Sequence, residues 1–233
     1  MVAADLDVTV DLARSLLEEQ HPDLADRPLQ LVANGWDNVM IRLGDDLALR
    51  LPRRELGAQL MRNEHQVLPL LAPRLPVAVP DPVRTGVPSP ALGYPWPWGV
   101  VRWADGVAAA TVPATERTPW AEHLARFFVA LHQPATDDGR LSAVIDFGDV
   151  TSGDPASDLG TMWLTFDAEG RKRFRRVVDA EARDGRGWDT GMWRRAQGWA
   201  LLYTTICFSY PDTHPIMVRV GEHAVEQLFS EGA

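Results

Sequence analysis

The stretch LSAVIDFGDVTSGDPASDLG, at residues 141–160, decides how the rest of the chain is interpreted. It opens with an apolar run over residues 141–145, which is typical of a buried strand. Four aspartates then follow within a short distance, at Asp146, Asp149, Asp154 and Asp158. Carboxylate oxygens are good ligands for Mg²⁺, and a strand end holds them in place. The stretch therefore predicts a metal site that includes Asp146.

The composition is typical of a soluble globular protein with one sizeable domain or two small lobes. Of the 233 residues, 45% are hydrophobic and 24% are charged, and the net charge is −9. With no basic stripe, this acidity argues against binding to a nucleic-acid backbone. No apolar run approaches the roughly 20 residues that a membrane span needs, and the N-terminus is unlike a signal peptide. We therefore expect a cytoplasmic protein with no nucleic-acid or membrane partner. The oligomeric state stays open.

The first half of the chain alternates short apolar runs with turn residues, which favours a small β-rich lobe. Strands are predicted over residues 29–33, 39–43, 47–51 and 99–103. Helices are predicted over residues 6–20 and 55–71, and the second is expected to bury Leu56, Leu60, Val67 and Leu71. This first lobe is expected to span residues 1–103.

The second half, residues 104–233, is predicted to be mainly helical. Thr118 and Pro119 are a good N-cap and first-turn proline for a helix. Its apolar stripe is expected to be Trp120, Leu124, Phe127, Phe128 and Leu131. Further amphipathic segments lie over residues 171–182, 191–209 and 215–230. The basic residues Arg171, Lys172, Arg173, Arg175 and Arg176 are predicted to form a solvated helix face, and Cys207 a buried thiol. The fold class is therefore α+β.

One predicted hairpin of the second half has only one arm. Asp138-Gly139 is a strong hairpin signal, and residues 141–145 form the strand that leaves it. The strand that enters should be an apolar or alternating run. Instead, residues 131–136 read LHQPAT, which is a helix end followed by a proline.

Three groups of residues are suited to a nucleotide and its metal. The turn at residues 34–38, NGWDN, offers backbone N–H groups to phosphates, although an ordinary hairpin turn has the same pattern. Arg50 on a strand and Glu64 on the next helix match the kinase ion pair that presents a cation to phosphate oxygens. A surface pair is the alternative. In VIDFGD, a strand carries Asp146 to a glycine turn, as kinases do to hold Mg²⁺.

Together these features resemble the aminoglycoside phosphotransferase family, whose two-lobed fold is similar to that of protein kinases. The resemblance covers nearly the whole chain and is most specific at VIDFGDVTSGDPASDLG, ALRLPRRE and WGVVRWADG. It implies a β-rich N-lobe and a truncated, mainly helical C-lobe. It also implies ATP or GTP and Mg as cofactors, and ATP/Mg-dependent transfer of a phosphoryl group to a hydroxyl of a small molecule.

The resemblance also assigns roles to individual residues. The loop over the phosphates would comprise Gly35, Trp36, Asp37 and Asn38. Arg50 would replace the family's strand lysine, with Glu64 as its partner; the only lysine of the chain is Lys172. Residues 100–103 would be the hinge that binds adenine through its backbone, at Val101 and Trp103. Asp146 would ligate magnesium, while Asp154 and Asp158 would brace the catalytic loop and open the next helix.

The family's catalytic loop, H-G-D-x-x-x-x-N, is absent from the sequence. None of the six histidines begins such a motif, and the three asparagines all lie in the first lobe. In the family, several dozen residues follow a helix that ends like FFVALHQPA. With the one-armed hairpin, this predicts an internal deletion near residues 135–137. No catalytic residue is assigned, although His132 and Asp137 are an alternative source of a base. The simpler interpretation is a helix-terminal histidine and a turn aspartate.

Three hypotheses about function follow. The chain is a phosphotransferase that retains some activity, a nucleotide-binding pseudo-enzyme, or a deletion remnant without a selected function. The incomplete hairpin favours the second and third hypotheses over the first. If transfer survives, the acceptor is expected to be a small hydroxyl-bearing molecule, and the acidic surface would suit a cationic one.

Overall fold

The computed structural model describes residues 3–132, 154–181, 188–209 and 211–230. These residues form two compact units. Residues 3–73 and 78–105 belong to the first, and residues 74–77, 106–132 and the described residues from 154 onward belong to the second. The predicted strand at residues 141–145 lies outside the described residues.

The first unit contains a five-stranded antiparallel sheet in the order β1-β2-β3-β5-β4. Its strands are β1 (Leu29–Asn34), β2 (Asn38–Leu43), β3 (Leu47–Pro52), β4 (Pro82–Gly86) and β5 (Trp98–Arg102). All four predicted strands are present within one residue or two of their expected bounds. Strand β4 was not predicted, because it lies in a proline-rich stretch. It occupies an edge of the sheet, where proline is tolerated since no ladder bond is lost.

Two helices accompany the sheet, α1 (Val10–Gln20) and α2 (Glu55–Leu71). Helix α1 begins later than predicted because the Thr9 hydroxyl caps it, accepting from the Leu12 N–H at 3.1 Å. The predicted inner face of α2 was partly wrong, since Leu56 is 50% exposed. The buried face instead follows Ala58, Met61, Glu64, Leu68 and Leu71. A polar residue, Glu64, thus lies on the inner side of the helix.

The core of the first unit lies between the sheet and helix α1. It includes Leu16 and Leu17 of α1, alternate residues of β2 and β3, and the aromatic side chains Tyr94, Trp96 and Trp98. The Tyr94 hydroxyl donates to the Pro52 carbonyl at 2.9 Å, so its polar end is satisfied inside the core.

The regular elements among the described residues of the second unit are all helices. It contains α3 (Ala114–Arg117), α4 (Ala121–Leu131), α5 (Ala156–Leu159), α6 (Thr161–Thr165), α7 (Ala168–Ala180), α8 (Thr190–Cys207) and α9 (Pro215–Phe229). Its core is built from Phe166, Phe174, Trp193 and small residues such as Ala125 and Ala196. Cys207 is buried, as predicted, and burial raises the pKa of its thiol. No helix among the described residues is long and apolar enough to cross a membrane.

Three sequence predictions for this unit were wrong. Helix α4 begins at Ala121 after a 3₁₀ turn, so Thr118 does not cap it; the Thr118 hydroxyl donates instead to Asp167 at 3.0 Å. Trp120 is 41% exposed and lies outside the buried stripe. Arg171 is buried rather than solvated, because it donates to the Phe166 carbonyl and the Gln227 side-chain oxygen. Satisfied bonds of this kind make a buried guanidinium tolerable.

Candidate functional site

An ion pair joins strand β3 to helix α2 in the first unit. Arg50 donates from Nη1 and Nη2 to the two carboxylate oxygens of Glu64, at 2.5 and 3.1 Å. The side chains are 16% and 8% exposed, respectively. A two-pronged, largely buried contact of this kind is stronger and more directional than a surface pair. The structure thus brings together the two residues that the sequence pattern linked, and it does not support the surface-pair alternative.

The neighbours of Arg50 explain how this pair fits into the sheet. Gly99 lies directly opposite Arg50 on strand β5. A Cβ at position 99 would lie 3.0 Å from Nε2 of His65, so the glycine leaves room for this imidazole. Burial lowers the pKa of His65, and the positive charge of Arg50 lowers it further. The imidazole beside the ion pair is therefore neutral near pH 7.

The turn at residues 34–38 is held by the two arginines that follow strand β3. Within the turn, the Gly35 N–H donates to the Asn38 carbonyl at 2.9 Å. Arg53 donates its backbone N–H to the Asp37 carbonyl at 2.8 Å. Its side-chain Nη1 donates to the Asn34 side-chain oxygen at 2.5 Å and to the Gly35 carbonyl at 3.2 Å.

The second of these arginines, Arg54, pairs with Asp37 at 3.1 Å between Nη1 and Oδ1. Sequence reasoning assigned no role to Arg53 or Arg54, although both stand in the ALRLPRRE segment that supported the resemblance. The sequence signal that could have indicated their role is two consecutive arginines directly after a buried strand. Their charged side chains need partners, and the described ones lie in the turn.

Most of the predicted hinge, residues 100–102, belongs to strand β5 within the sheet, and Trp103 follows the strand. Val101 is buried and pairs with Ala48 on β3 and Pro82 on β4. The Trp103 N–H donates to the Asp46 carbonyl at 2.8 Å, so this backbone donor is already bonded within the first unit. The Arg42 guanidinium lies over the Trp103 ring, 4.7 Å from the ring centroid. Adenine binding by this segment stays a prediction.

In the second unit, the histidine considered as an alternative base is engaged with an aspartate. His132 Nε2 lies 2.9 Å from Oδ2 of Asp158, and both side chains are almost fully buried. The ring also packs against Phe128 and Trp188. A general base must reach the proton that it removes. The burial of His132 argues against this role, and Asp137 lies outside the described residues.

Asp154, which was expected to brace the catalytic loop, is paired with a distant arginine. Arg195 donates to its two oxygens at 2.6 and 3.3 Å, and the Ala156 N–H donates at 3.2 Å. The hydrogen bond from Arg195 lowers the pKa of Asp154 most strongly, and the Ala156 N–H lowers it further. Asp154 thus links the start of α5 to helix α8.

The predicted metal ligand, Asp146, lies outside the described residues, as does Asp149. Within the parts of the chain that the structure describes, no group of three His, Cys, Asp or Glu side chains is placed to hold a metal ion. The magnesium assignment therefore still rests on the sequence pattern alone.

Comparison with known proteins decides the family. A model of the phosphotransferase enzyme family, APH, matches residues 28–137 and 135–199, which together are more than half of the chain. The chain belongs to this family. The two matched segments overlap at residues 135–137, where the sequence analysis places the internal deletion. No curated protein sequence matches the chain.

Solved structures with the same fold include aminoglycoside and macrolide phosphotransferases. Wild-type aminoglycoside 2'-phosphotransferase-IIIa in its GDP complex is 17% identical, with a TM-score of 0.63 over 94% of this chain and 98% of that chain. The apoenzyme of macrolide 2'-phosphotransferase MphH from Brachybacterium faecium is 18% identical, with a TM-score of 0.59 over 94% and 97%. The streptomycin–ATP complex of APH(2")-IIa is 13% identical, with a TM-score of 0.55 over 91% and 94%. The predicted kinase-like α+β fold is thereby confirmed.

Proposed function

We propose that the chain binds ATP or GTP through its first lobe, and that phosphoryl transfer to a small molecule is impaired or absent. The observation that carries the proposal is the buried, two-pronged pair between Arg50 and Glu64. In kinase-like enzymes a cation held in this way contacts the nucleotide phosphates. Two of the structural neighbours described above are nucleotide complexes, with GDP and with ATP.

Arginine at position 50 suits this role in a particular way. A guanidinium is planar and always charged, and it can bond one carboxylate while its remaining N–H groups face other acceptors. Glu64 fixes the plane of the guanidinium, so the fork is oriented before a ligand arrives. Pre-orientation of this kind reduces the entropy cost of binding.

The proposal that transfer is impaired rests on catalytic residues that are missing from the sequence. No H-G-D-x-x-x-x-N segment occurs in the sequence, so the usual base and the metal-binding asparagine are both absent. The family model also matches in two segments that meet at residues 135–137. His132, which the sequence offered as an alternative base, is buried and contacts the Asp158 carboxylate. Positioning and charge neutralisation alone can support slow transfer, so residual activity is the second candidate function.

Magnesium would be held by Asp146 of the VIDFGD segment. A carboxylate at a strand end fits the preference of Mg²⁺ for oxygen ligands. When bound, the ion would neutralise phosphate charge. The proposed acceptor is a small hydroxyl-bearing molecule, cationic in keeping with the net charge of −9. Aminoglycosides and macrolides are the classes named for the structural neighbours.

Thermal unfolding with and without nucleotide tests the binding proposal. Millimolar ATP with Mg²⁺ should raise the unfolding temperature of the wild type, since a ligand that binds only the native state stabilises it. Arg50→Gln should abolish this rise. Arg27→Gln, which removes the same charge from an exposed pair with Asp46, should leave it unchanged. No rise in the wild type would favour a deletion remnant.

An assay of ADP release tests residual transfer. Aminoglycosides, macrolides and small amino alcohols should give no acceptor-dependent ADP release if transfer is lost. Acceptor-dependent release would instead establish a working phosphotransferase. Release that survives Asp146→Ala would show that the metal assignment is wrong.

A further inference from the structure

One face of helix α7 lines a pocket of about 220 Å³ in the second unit. Residues at helical spacing form this side of the pocket, namely Ala168, Arg171, Lys172 and Arg175. Met162 and Trp163 of helix α6 line it as well, together with the C-terminal end of α9. We call this space the α7 pocket. Its lining residues all belong to the second unit.

The charge of the α7 pocket is opposite to that of the whole chain, which is −9. Arg171, Lys172 and Arg175 are cationic, and no described lining residue is acidic. Arg171 is occupied by its bonds to the Phe166 carbonyl and the Gln227 side chain. Direct contacts with an anion would therefore come from the other two cations.

The basic residues of α7 that lie outside the pocket are paired with carboxylates. Arg173 pairs with Glu169 at 3.0 Å, and Arg176 pairs with Glu122 at 2.7 Å. Among the described residues, by contrast, no carboxylate is paired with Lys172, which is exposed. The sequence run of basic residues is thus divided, and Lys172 keeps an uncompensated charge at the pocket.

Arg175 is held in place without using all of its N–H groups. Its Nε donates to Asp179 at 3.4 Å, and its guanidinium lies 4.9 Å from the centroid of the Trp193 ring. Its two terminal nitrogens make no hydrogen bond to a described residue. A guanidinium has five N–H donors, so Arg175 can bind a carboxylate while it keeps these contacts.

The side of the pocket formed by α6 is apolar and buried. Met162 and Trp163 are each 3% exposed. The indole N–H of Trp163 is also buried, and it has no hydrogen-bond partner in the part of the chain that the structure describes. Leaving a buried donor unpaired is unfavourable, and a ligand oxygen that reached it would remove this cost.

The size and lining of the α7 pocket suit a small organic acid. An apolar cavity of about 150 Å³ holds a benzene molecule, so this pocket has room for a ring and a carboxylate. Lys172 and Arg175 lie three positions apart on α7 and are neighbours on its surface. An apolar body would cover Met162 and Trp163. Inorganic phosphate has no such body and would leave these side chains uncovered.

We propose that the α7 pocket binds a small monocarboxylate with an apolar body. Lys172 and Arg175 hold the carboxylate, and Met162 and Trp163 contact the apolar body. The Arg50–Glu64 pair belongs to the other unit. The inference therefore goes beyond the proposed nucleotide function and does not depend on it.

The reactivity of Lys172 tests binding directly, because it is the only lysine of the chain. Reductive methylation then modifies Lys172 and the α-amino group, and peptide mass spectrometry gives both rates. At about ten times its Kd, benzoate should slow methylation of Lys172 about tenfold and leave the α-amino group unaffected. Hexanoate should act in the same way. Benzamide, which has the ring without the charge, and inorganic phosphate at equal ionic strength should not protect Lys172.

Titration calorimetry with benzoate tests the two sides of the pocket. Lys172→Gln and Arg175→Gln should each weaken binding about fivefold, the effect of losing a partly exposed ion pair. Arg173→Gln is the matched control, because it removes the same charge from a residue of α7 outside the pocket. It should leave the affinity unchanged. Ala168→Leu fills the pocket without changing the charge and should prevent binding. Ala168 is exposed, so this variant should fold.

Three results would overturn the proposal. The first is that the wild type binds neither benzoate nor hexanoate. The second is that phosphate protects Lys172 as well as benzoate does, since the pocket would then be a cluster of charges without apolar recognition. The third is that Arg173→Gln weakens benzoate binding as much as Lys172→Gln, which would mean that benzoate responds to the overall charge of α7. ATP binding is measured separately, so none of these results bears on the nucleotide proposal.

Discussion

Glu64 on helix α2 accepts a hydrogen bond from each terminal nitrogen of Arg50 on strand β3, at 2.5 and 3.1 Å. The contact ties the helix to the middle of the sheet through charge rather than apolar packing. It is also the feature on which the proposed nucleotide binding rests. A substitution here should therefore affect both stability and binding.

Glu64→Ala should lower the free energy of unfolding by about 3 kcal/mol, because it leaves the largely buried Arg50 charge without its partner. Urea denaturation measures this loss. Glu169→Ala removes an acid from an exposed pair with Arg173 and should cost about 0.5 kcal/mol or less. Equal effects of the two substitutions would mean that the Arg50–Glu64 pair is solvated.

Two glycine substitutions should change stability in opposite directions. A Cβ at Gly86 would lie 1.9 Å from the Trp98 ring, so Gly86→Ala must displace a buried indole and should cost about 3 kcal/mol or more. A Cβ at Gly198, inside helix α8, meets nothing within 4 Å. Gly198→Ala should stabilise by about 1 kcal/mol through helix propensity. Thermal unfolding of the two variants tests both expectations. A Gly86→Ala protein as stable as the wild type would contradict the close packing of Gly86 on Trp98.

Two histidines should make the protein less stable in mild acid. Burial lowers the pKa of His65 and of His223, and nearby Arg50 and Arg117, respectively, lower it further. The unfolded chain therefore takes up protons near pH 6.5, before the native state does. Stability is then fully present above about pH 6.5 and is lost as the pH falls below it.

Urea denaturation at pH 7.5 and 5.5 measures this loss. His223→Gln keeps a donor for the Phe166 carbonyl but cannot take up a proton, so it should reduce the difference between the two pH values. A difference as large as that of the wild type would show that His223 does not contribute.

The buried pair of the second unit should depend on a hydrogen-bond acceptor at position 158. Asp158→Ala leaves the His132 ring without this acceptor and should cost about 1–3 kcal/mol. Asp158→Asn keeps an oxygen there and should cost less. Chemical denaturation of both variants tests the order, and equal losses would show that the volume of the side chain matters more than the bond.

Much of the fold was predictable because its periodic patterns are clear. The burial of strand β2 alternates strictly, and strand β3 is a buried run interrupted only at Arg50. The pairing of Arg50 with Glu64 was predicted from their places on a strand and the next helix. The errors came from tertiary contacts. Leu56 was assigned to the inner face by its apolar character, whereas Glu64 occupies that face because Arg50 lies beneath it.

Other features could not be predicted from local patterns. Arg171 was assigned to a solvated face by its basic neighbours, but Phe166 and Gln227 supply bonds that permit burial. The contacts of Arg53 with the turn join residues 18 and 19 positions apart, so no short-range pattern reveals them. Asp146 was predicted from sequence and lies outside the described residues.

A single ³¹P NMR experiment tests the central claim, that nucleotide binding persists while phosphoryl transfer is lost or impaired. The wild-type protein is mixed with ATP, Mg²⁺ and a panel of aminoglycosides and macrolides. The ATP phosphate resonances should broaden or shift, and no phosphomonoester resonance should grow at a rate expected of a working enzyme. Unchanged ATP resonances would contradict nucleotide binding, and rapid growth of a phosphomonoester resonance would contradict the loss of transfer.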